Sequence, residues 1–353
     1  MAKTKILKVG VAGCGAIGVY HIRGYQACKR AQVVAICDSS EQRLQKAAQE
    51  FNVSRTYLDW RELVKDPDVD VVSVALPNYL HAPVSIAGLN AGKHVFCEKP
   101  PATSEAEVQR MLDASRRARR KLMIGQDWRF QPDTQKVKHH IARGDFGQIY
   151  HAHAYVLRRS GIPNLGSWFT QKKLAGGGCL YDIGVHFLDL VLHLCGRFDP
   201  ISVSGMTYSK YGQRGLGRGG WGVSEVDPKA KFDVDDYACG LIRFEGLTIL
   251  LESSWALPMH VDGRHGVDLY GTEGGAHLFP AQITRVVRNK FVTSEPALKR
   301  LPHTTDRFTH FIDCVLDDCE MIVKPEQSLV VQRILDGIYR SSETGKEVRL
   351  KRS

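Results

Sequence analysis

Two stretches of this sequence carry side chains whose types and spacing suit proton and charge transfer. In Gly92-Lys-His-Val-Phe-Cys-Glu98-Lys99-Pro100-Pro101, a short apolar strand ends in an acid, a lysine and two prolines. Pro100 cannot continue a ladder and fixes the chain direction, so Lys99 is held at a strand exit by a stiff turn. In Ala175-Gly-Gly-Gly-Cys-Leu-Tyr-Asp182-Ile-Gly-Val-His186-Phe-Leu-Asp189-Leu-Val-Leu-His193, a helix places positions 182, 186, 189 and 193 on one face. The other positions are nearly all apolar, which predicts a buried helix whose Asp/His stripe needs partners or a polar cavity. Asp182 and His186, close to the glycine-rich start, are the pair expected at an active site. Positions 182 and 193 lie three turns apart, too far to share one ion, so no metal is expected. His193 is expected as a core histidine bonded to Asp189.

A phosphate-binding turn precedes both stretches: Lys8-Val-Gly-Val-Ala-Gly13-Cys-Gly15-Ala16-Ile17-Gly18. Gly13 permits a tight turn, Gly15 lets a diphosphate approach the backbone, and Gly18 lets the following helix pack closely on the strand. That helix offers its leading amides and the positive end of its dipole to phosphates. A second apolar run, Gln32-Val-Val-Ala-Ile-Cys37, ends in Asp38, placed about twenty residues on, where a carboxylate binds both hydroxyls of an adenosine ribose. A 2′-phosphate beside it would be repelled, so the expected cofactor is NAD rather than NADP. The nearest cation downstream is Arg43, one turn into the next helix.

The elements that must position these groups fall into two textures. At 353 residues the chain exceeds one core and suggests two domains. Over 1–125, strand-like runs at 6–12, 32–37, 70–76, 94–97 and 121–124 alternate with helical stretches. This predicts an α/β, doubly wound parallel sheet of the Rossmann type, with ligands beyond the strands' carboxyl ends. Each strand exit carries polar or special residues: Gly13, Asp38, Pro77-Asn78, Glu98-Lys99 and Gln126-Asp-Trp-Arg129. Over 126–353 the pattern is α+β. A helix at 133–143 and a strand at 148–158 precede the helix at about 181–195, followed by period-two strands at 235–245, 247–256 and 265–271. Two helices, 305–318 and 326–341, precede a basic tail. Tyr208–Lys231, rich in Gly and Arg, reads as a mobile surface loop or as an arm to another subunit.

Bulk properties narrow the function classes. Apolar residues make up 43% and charged residues 24%, values of an ordinary globular protein. No apolar stretch approaches the ~20 residues that cross a bilayer, and Met1-Ala-Lys-Thr-Lys5 leads straight into the first strand, leaving no room for a signal peptide. Nine scattered cysteines without a CxxC pair read as free thiols in a reducing cytoplasm. The net charge of +10 is densest in Arg116-Arg-Ala-Arg-Arg-Lys121, at a helix C-terminus where the dipole favours cations. No aromatics interleave with it, so it reads as a solvated helix end and not a nucleic-acid surface. The excess charge suits anionic ligands.

The chain resembles the glucose–fructose oxidoreductase/inositol dehydrogenase/MocA (Gfo/Idh/MocA) family. The matching motifs are the glycine turn 13–18, Leu76-Pro77-Asn78-Tyr-Leu-His81, the stretch 92–100, Gly176-Gly-Gly-x-x-x-Asp182-x-Gly-x-His186, Val234-Asp-Asp-Tyr237 and Gly271-Thr-Glu-Gly-Gly275. They span almost the whole chain. The resemblance implies an N-terminal Rossmann domain and a C-terminal α+β domain whose open, largely antiparallel sheet makes homo-oligomer contacts in dimers or tetramers. It also implies a catalytic set of Lys99, Asp182 and His186, with Asn78, His81 and Glu98 near the nicotinamide end, and a cis peptide before Pro100. Its members mostly oxidise or reduce a secondary carbinol of a sugar or cyclitol. Some are NAD-dependent glycosidases using transient oxidation, and a few bind the nucleotide without catalysis.

The side chains suit the first of these activities. His186 can accept the hydroxyl proton, Lys99 can stabilise charge on the alcohol oxygen, and Asp182 can orient the hydroxyl or favour the protonated histidine. Trp128, Arg129, Tyr155, Arg158, Arg159 and Trp168 are the expected pocket residues, an aromatic platform with donors for a polyhydroxylated ring.

Overall fold

Apolar, β-branched runs and amphipathic helices alternate through the first third of the chain and build a parallel sheet. The elements are β1 (Leu7–Ala12), α1 (Ala16–Ala27), β2 (Ala31–Cys37), α2 (Glu41–Phe51), β3 (Arg55–Tyr57), α3 (Trp60–Lys65), β4 (Val71–Val74), α4 (Asn78–Asn90), β5 (His94–Cys97), α5 (Glu105–Ala118) and β6 (Leu122–Ile124). Ser40, Asp59 and Ser104 cap α2, α3 and α5 through their side chains. The strand order β3-β2-β1-β4-β5-β6 reverses at β1, beside which the glycine turn lies. Every residue of β4 is buried, as expected for a parallel strand covered on both faces. β3, a three-residue edge strand, has no apolar run to announce it. The structure, a computed structural model, describes residues 5–221, 224–298, 301 and 305–351. The expected entry from Met1, part of the Tyr208–Lys231 segment (222–223) and the end of the basic tail (352–353) lie outside them.

The remaining elements are α6 (Pro132–Ala142), β7 (Ile149–Arg158), α7 (Lys172–Ala175), a π-helical turn (Leu180–Gly184), α8 (Val185–Cys195), β8 (Ser202–Tyr208), β9 (Tyr237–Phe244), β10 (Leu247–Ser254), β11 (Gly263–Gly271), β12 (Gly274–Leu278), β13 (Gln282–Val287), β14 (Lys290–Ser294), α9 (Arg307–Asp317), α10 (Pro325–Thr344) and β15 (Val348–Arg349). Nine strands form one sheet, ordered β14-β13-β12-β11-β7-β10-β9-β8-β15. All its pairings are antiparallel except β10 with β7. Its inner face (Ala152, Ala154, Val203, Ala238, Ile242, Ile249, Leu251) packs with Leu188, Leu192, Ile334 and Ile338 of α8 and α10.

The chain divides into a unit of Met1–Gly125, Gly222–Ser224 and Thr305–Leu329, and a unit of Gln126–Trp221, Glu225–Thr304 and Val330–Ser353. A contiguous second domain over 126–353 was expected, but α9 joins the first unit. Its Phe308 ring lies 4.9 Å from that of Tyr25, and its Phe311 ring 5.6 Å from that of Phe96. The expectation that no stretch is apolar enough to span a bilayer also needs correcting. The 24-residue helical run 172–195 passes by length and composition, and 83% of its most apolar window is buried inside the protein. Its apolarity is that of a core helix.

Candidate functional site

In the first unit the glycine turn works by exclusion. Gly13 sits at φ +104°, where a Cβ would lie 2.2 Å from the Ala75 carbonyl oxygen, and a Cβ on Gly18 would lie 1.8 Å from that of Gly13. Neither position tolerates a side chain. α1 begins at Ala16 with Gly15 before it and no side-chain cap, so its leading amides suit an anion. Ala16 and Ile17 are exposed there. Asp38 closes β2, with Oδ2 accepting from the Cys14 N–H and Oδ1 from the Ser40 N–H, both at 2.8 Å. Arg43 also donates to Oδ1, at 2.9 Å. A side-chain-free cradle, an uncapped helix start and a carboxylate ending the second strand fit the diphosphate and ribose of a dinucleotide.

The exits of β4 and β5 are tied together by His81. Its Nδ1 lies 2.7 Å from the Pro100 carbonyl oxygen and its Nε2 2.7 Å from that of Leu76. Burial pushes its pKa down against the pull of those carbonyls, and a neutral ring can donate to one of them only. Pro77 precedes α4, and Asn78, its first residue, is buried. Glu98 is buried between His21 Nε2 and Arg307, each at 2.8 Å. Burial alone would raise its pKa, but the Arg307 charge, the His21 hydrogen bond and the Lys99 charge outweigh it and hold the carboxyl well below its usual range. Lys99 donates its backbone N–H to Glu98 Oε2 at 3.1 Å, and the Lys99–Pro100 peptide is cis, as the resemblance implied. The half-buried lysine therefore leaves the sheet beside a fixed anion. His21, whose other nitrogen meets Ser73 Oγ at 2.8 Å, and Arg307 were not legible as site residues. Each is distant in sequence from the motif it supports.

In the second unit a buried carboxylate organises the start of the Asp/His helix. Asp235 accepts from the Gly178 N–H at 2.7 Å, the Leu180 N–H at 3.0 Å and the Tyr339 hydroxyl. It does the work of an N-cap from a remote loop. Its neighbour Asp236 gathers the N–H groups of Lys210, Tyr211 and Gly212 at 2.6–3.1 Å, anchoring the start of the Gly/Arg-rich segment. A uniform α-helix was expected from 181; residues 180–184 instead form a π turn. A Cβ on Gly184 would lie 2.9 Å from Ser253 Oγ of β10, so the π turn packs closely on the Ser253 side chain.

Asp182 is 8% exposed, and its Oδ2 accepts from the buried Trp255 Nε1 at 2.9 Å. His186 stays 16% exposed at the side chain, with Nδ1 3.3 Å from Asp127 Oδ1. A carboxylate beside the histidine is therefore supplied by Asp127, in the turn after β6. Trp255 and Asp127 were both missed as supporting residues, although Asp127 stood among the polar strand exits.

The expected pocket residues part company. Arg129 is fully buried and gives two hydrogen bonds to Asp189, at 2.7 and 2.6 Å, so it is a core ion pair and not a substrate donor. Tyr155 is misplaced by the pleat: it alternates with inner-face Ala154 and Val156 and lies on the outer face with His153. Arg158 shares the inner-face parity, and its charge, second to burial, lowers the pKa of His265. Trp128 packs on Phe187, His265 and Phe279, with ring centroids 4.8–5.7 Å apart. Arg159 is exposed, and Trp168 stacks on Phe169.

Residues 7–126 match the oxidoreductase family with an NAD-binding Rossmann fold, and residues 134–277 match the GFO/IDH/MocA C-terminal domain. The D-glucoside 3-dehydrogenase of Escherichia coli is 33% identical over 98% of this chain and 97% of its own. A levoglucosan dehydrogenase of Pseudarthrobacter phenanthrenivorans is 32% identical over 76% of this chain and 72% of its own. Among solved structures, an NAD binding oxidoreductase from Klebsiella pneumoniae superposes with a TM-score of 0.81 at 26% identity, covering 99% of this chain and 100% of that one.

Proposed function

Because the chain belongs to the Gfo/Idh/MocA oxidoreductase family and is an NAD-dependent dehydrogenase, we propose that it oxidises or reduces a secondary alcohol on a sugar ring, a glycoside or a cyclitol. The observation that carries this reading is the pair at the π turn: Asp182 fixed by Trp255, and a partly exposed His186 with Asp127 at its back. In this reading His186 takes the hydroxyl proton, and Asp127 stabilises the imidazolium that results. Asp182 orients the substrate hydroxyl, and Lys99 donates to the oxygen that gains charge. The glycine turn and Asp38 hold the dinucleotide, which when bound supplies the hydride acceptor or donor. The names of the relatives, a glucoside 3-dehydrogenase and a levoglucosan dehydrogenase, favour a pyranose ring over an open-chain polyol. Glycosides, anhydrosugars, cyclitols, sugar acids and open-chain polyols should be offered with NAD and read by reduced-cofactor absorbance. Turnover confined to open-chain substrates would refute the ring preference. Tight NAD binding without turnover on any of them would favour a regulatory protein.

The same reading makes the second unit the substrate-binding and oligomerisation domain. Met206, Tyr208, Leu250 and Tyr270 are exposed on the outer face of its sheet, beside a His153–Glu252–Tyr237 hydrogen-bonded row. An apolar face of this kind suits a second copy of the chain. Leu250→Arg should convert the assembly to monomers in sedimentation; a parent protein already monomeric would refute it.

A further inference from the structure

Two thiols lie together in the first unit, far in sequence from every motif above. Cys314 is buried in the last turns of α9, and Cys319 is exposed just beyond its end. Their sulfurs are 2.9 Å apart, and His310 Nε2 lies 3.4 Å from Cys314 Sγ. We propose that Cys314 and Cys319 form a reversible dithiol–disulfide pair, a modification site whose co-reactant is hydrogen peroxide.

The geometry favours a disulfide over a metal. Two thiolates on one tetrahedral zinc, with bonds of ~2.3 Å, stand about 3.8 Å apart; these sulfurs are already inside that distance, at 2.9 Å. They need to close by only roughly 0.9 Å to reach a bond of ~2.05 Å. The imidazole completes a potential ligand trio with them, but its Nε2 accepts the Ile322 N–H at 3.0 Å, so the lone pair facing Cys314 is engaged. Cys319 follows Asp318, which has left-handed backbone at φ 54°, in an exposed stretch. Cys314 is held in the packed helix.

Access divides the labour. Cys319 lines a cavity of about 560 Å³ shared with Arg116, Arg119, Lys121 and Lys324, so a small oxidant reaches it. Burial, with the neighbouring Cys319, pushes the Cys314 thiol up, which keeps it protonated until its partner has reacted. Cys319 sulfur attacks peroxide, breaking the O–O bond to give a sulfenic acid and releasing water. Cys314 sulfur then displaces the sulfenic oxygen as a second water, each thiol having lost its proton and the peroxide having taken two electrons. The product closes a six-residue ring over the C-terminal turn of α9, whose Asp313 and Asp317 both hold Arg30.

Mass spectrometry of the whole protein tests this. A few equivalents of hydrogen peroxide should remove two hydrogens from the intact mass, restored by dithiothreitol, with the peptides of Cys314 and Cys319 linked. Cys319→Ser should abolish the loss, and Cys314→Ser should leave a sulfenic acid on Cys319 that dimedone traps. Iodoacetamide should label Cys319 in the untreated native protein and not after peroxide, a readout that needs no variant. Oxygen gain at Cys319 with Cys314 still a thiol, or a link between other cysteines, would overturn the proposal. So would stoichiometric zinc lost from Cys319→Ser, with no disulfide formed before chelation.

Discussion

At the scale of single residues, several groups read as chemical stand against partners remote from them in the chain. Glu98 is fixed by His21 and Arg307 and Asp182 by Trp255, while Asp127 Oδ1 lies 3.3 Å from His186 Nδ1. The proposed roles predict that Lys99→Ala and His186→Ala each lower kcat by roughly 10²-fold, the range for losing a preorganised donor or a general base. NAD dissociation constants should change much less than tenfold in both variants. Near-normal turnover in either variant removes that residue from the catalytic set. Trp255→Phe keeps an aromatic side chain but removes one donor to Asp182, so kcat should drop about tenfold, the ~1–3 kcal/mol typical of a lost buried hydrogen bond. Asp38→Ser should weaken NAD and narrow its preference over NADP, because Arg43, now paired with Asp38, becomes available to a 2′-phosphate. Titration of both cofactors checks this, and unchanged constants would take Asp38 out of the site.

At the scale of elements, the decisive device is a carboxylate reaching a helix start from elsewhere in its unit. Asp235 satisfies two backbone amides and a tyrosine hydroxyl in a buried setting, so Asp235→Ala strands all three. Stability in denaturant should fall by about 3 kcal/mol or more, at ~1–3 kcal/mol for each buried donor left unpaired. A loss below 1 kcal/mol would mean that water replaces the carboxylate. The π turn, with Gly184 packed on Ser253 of β10, is an element no periodicity announces.

For the whole molecule, histidines withdrawn from water, His21 and His81 buried and His94 half-buried, contribute to the response to acid. His21, His81 and His94 all have pKa values pushed down, first by burial; for His94, with Arg120 and Lys121 beside it, the value falls to about 4. An unfolded histidine titrates near ~6.5. Below that pH the unfolded chain binds protons that the folded chain refuses, so stability is full above about 6.5 and declines as pH falls toward 4. Denaturation midpoints at pH 7.5 and 5.5 should show the decline, and His94→Asn should make it shallower. Equal slopes in parent and variant would show that His94 titrates normally in the fold.

Local pattern determined a good part of this protein. The glycine turn, the acid ending β2, the Glu-Lys-Pro exit and the Asp-x-Gly-x-His helix each depend on a few neighbouring residues, and so do the alternating elements of the parallel sheet. The family resemblance, and with it the NAD-binding Rossmann fold, was legible from those stretches alone. Partnership was not legible, because it depends on distances between residues remote in the chain. Arg129 read as a pocket donor until Asp189 was seen to claim it. Tyr155 read as a pocket aromatic until the pleat turned it outward, since a two-residue period says that faces alternate but not which one meets the helix. α9 read as part of the second domain until its phenylalanines were found against Tyr25 and Phe96. The same limit hid the neighbouring thiols of Cys314 and Cys319, whose spacing matches no familiar motif and whose proximity only the chain's turn after Asp318 creates.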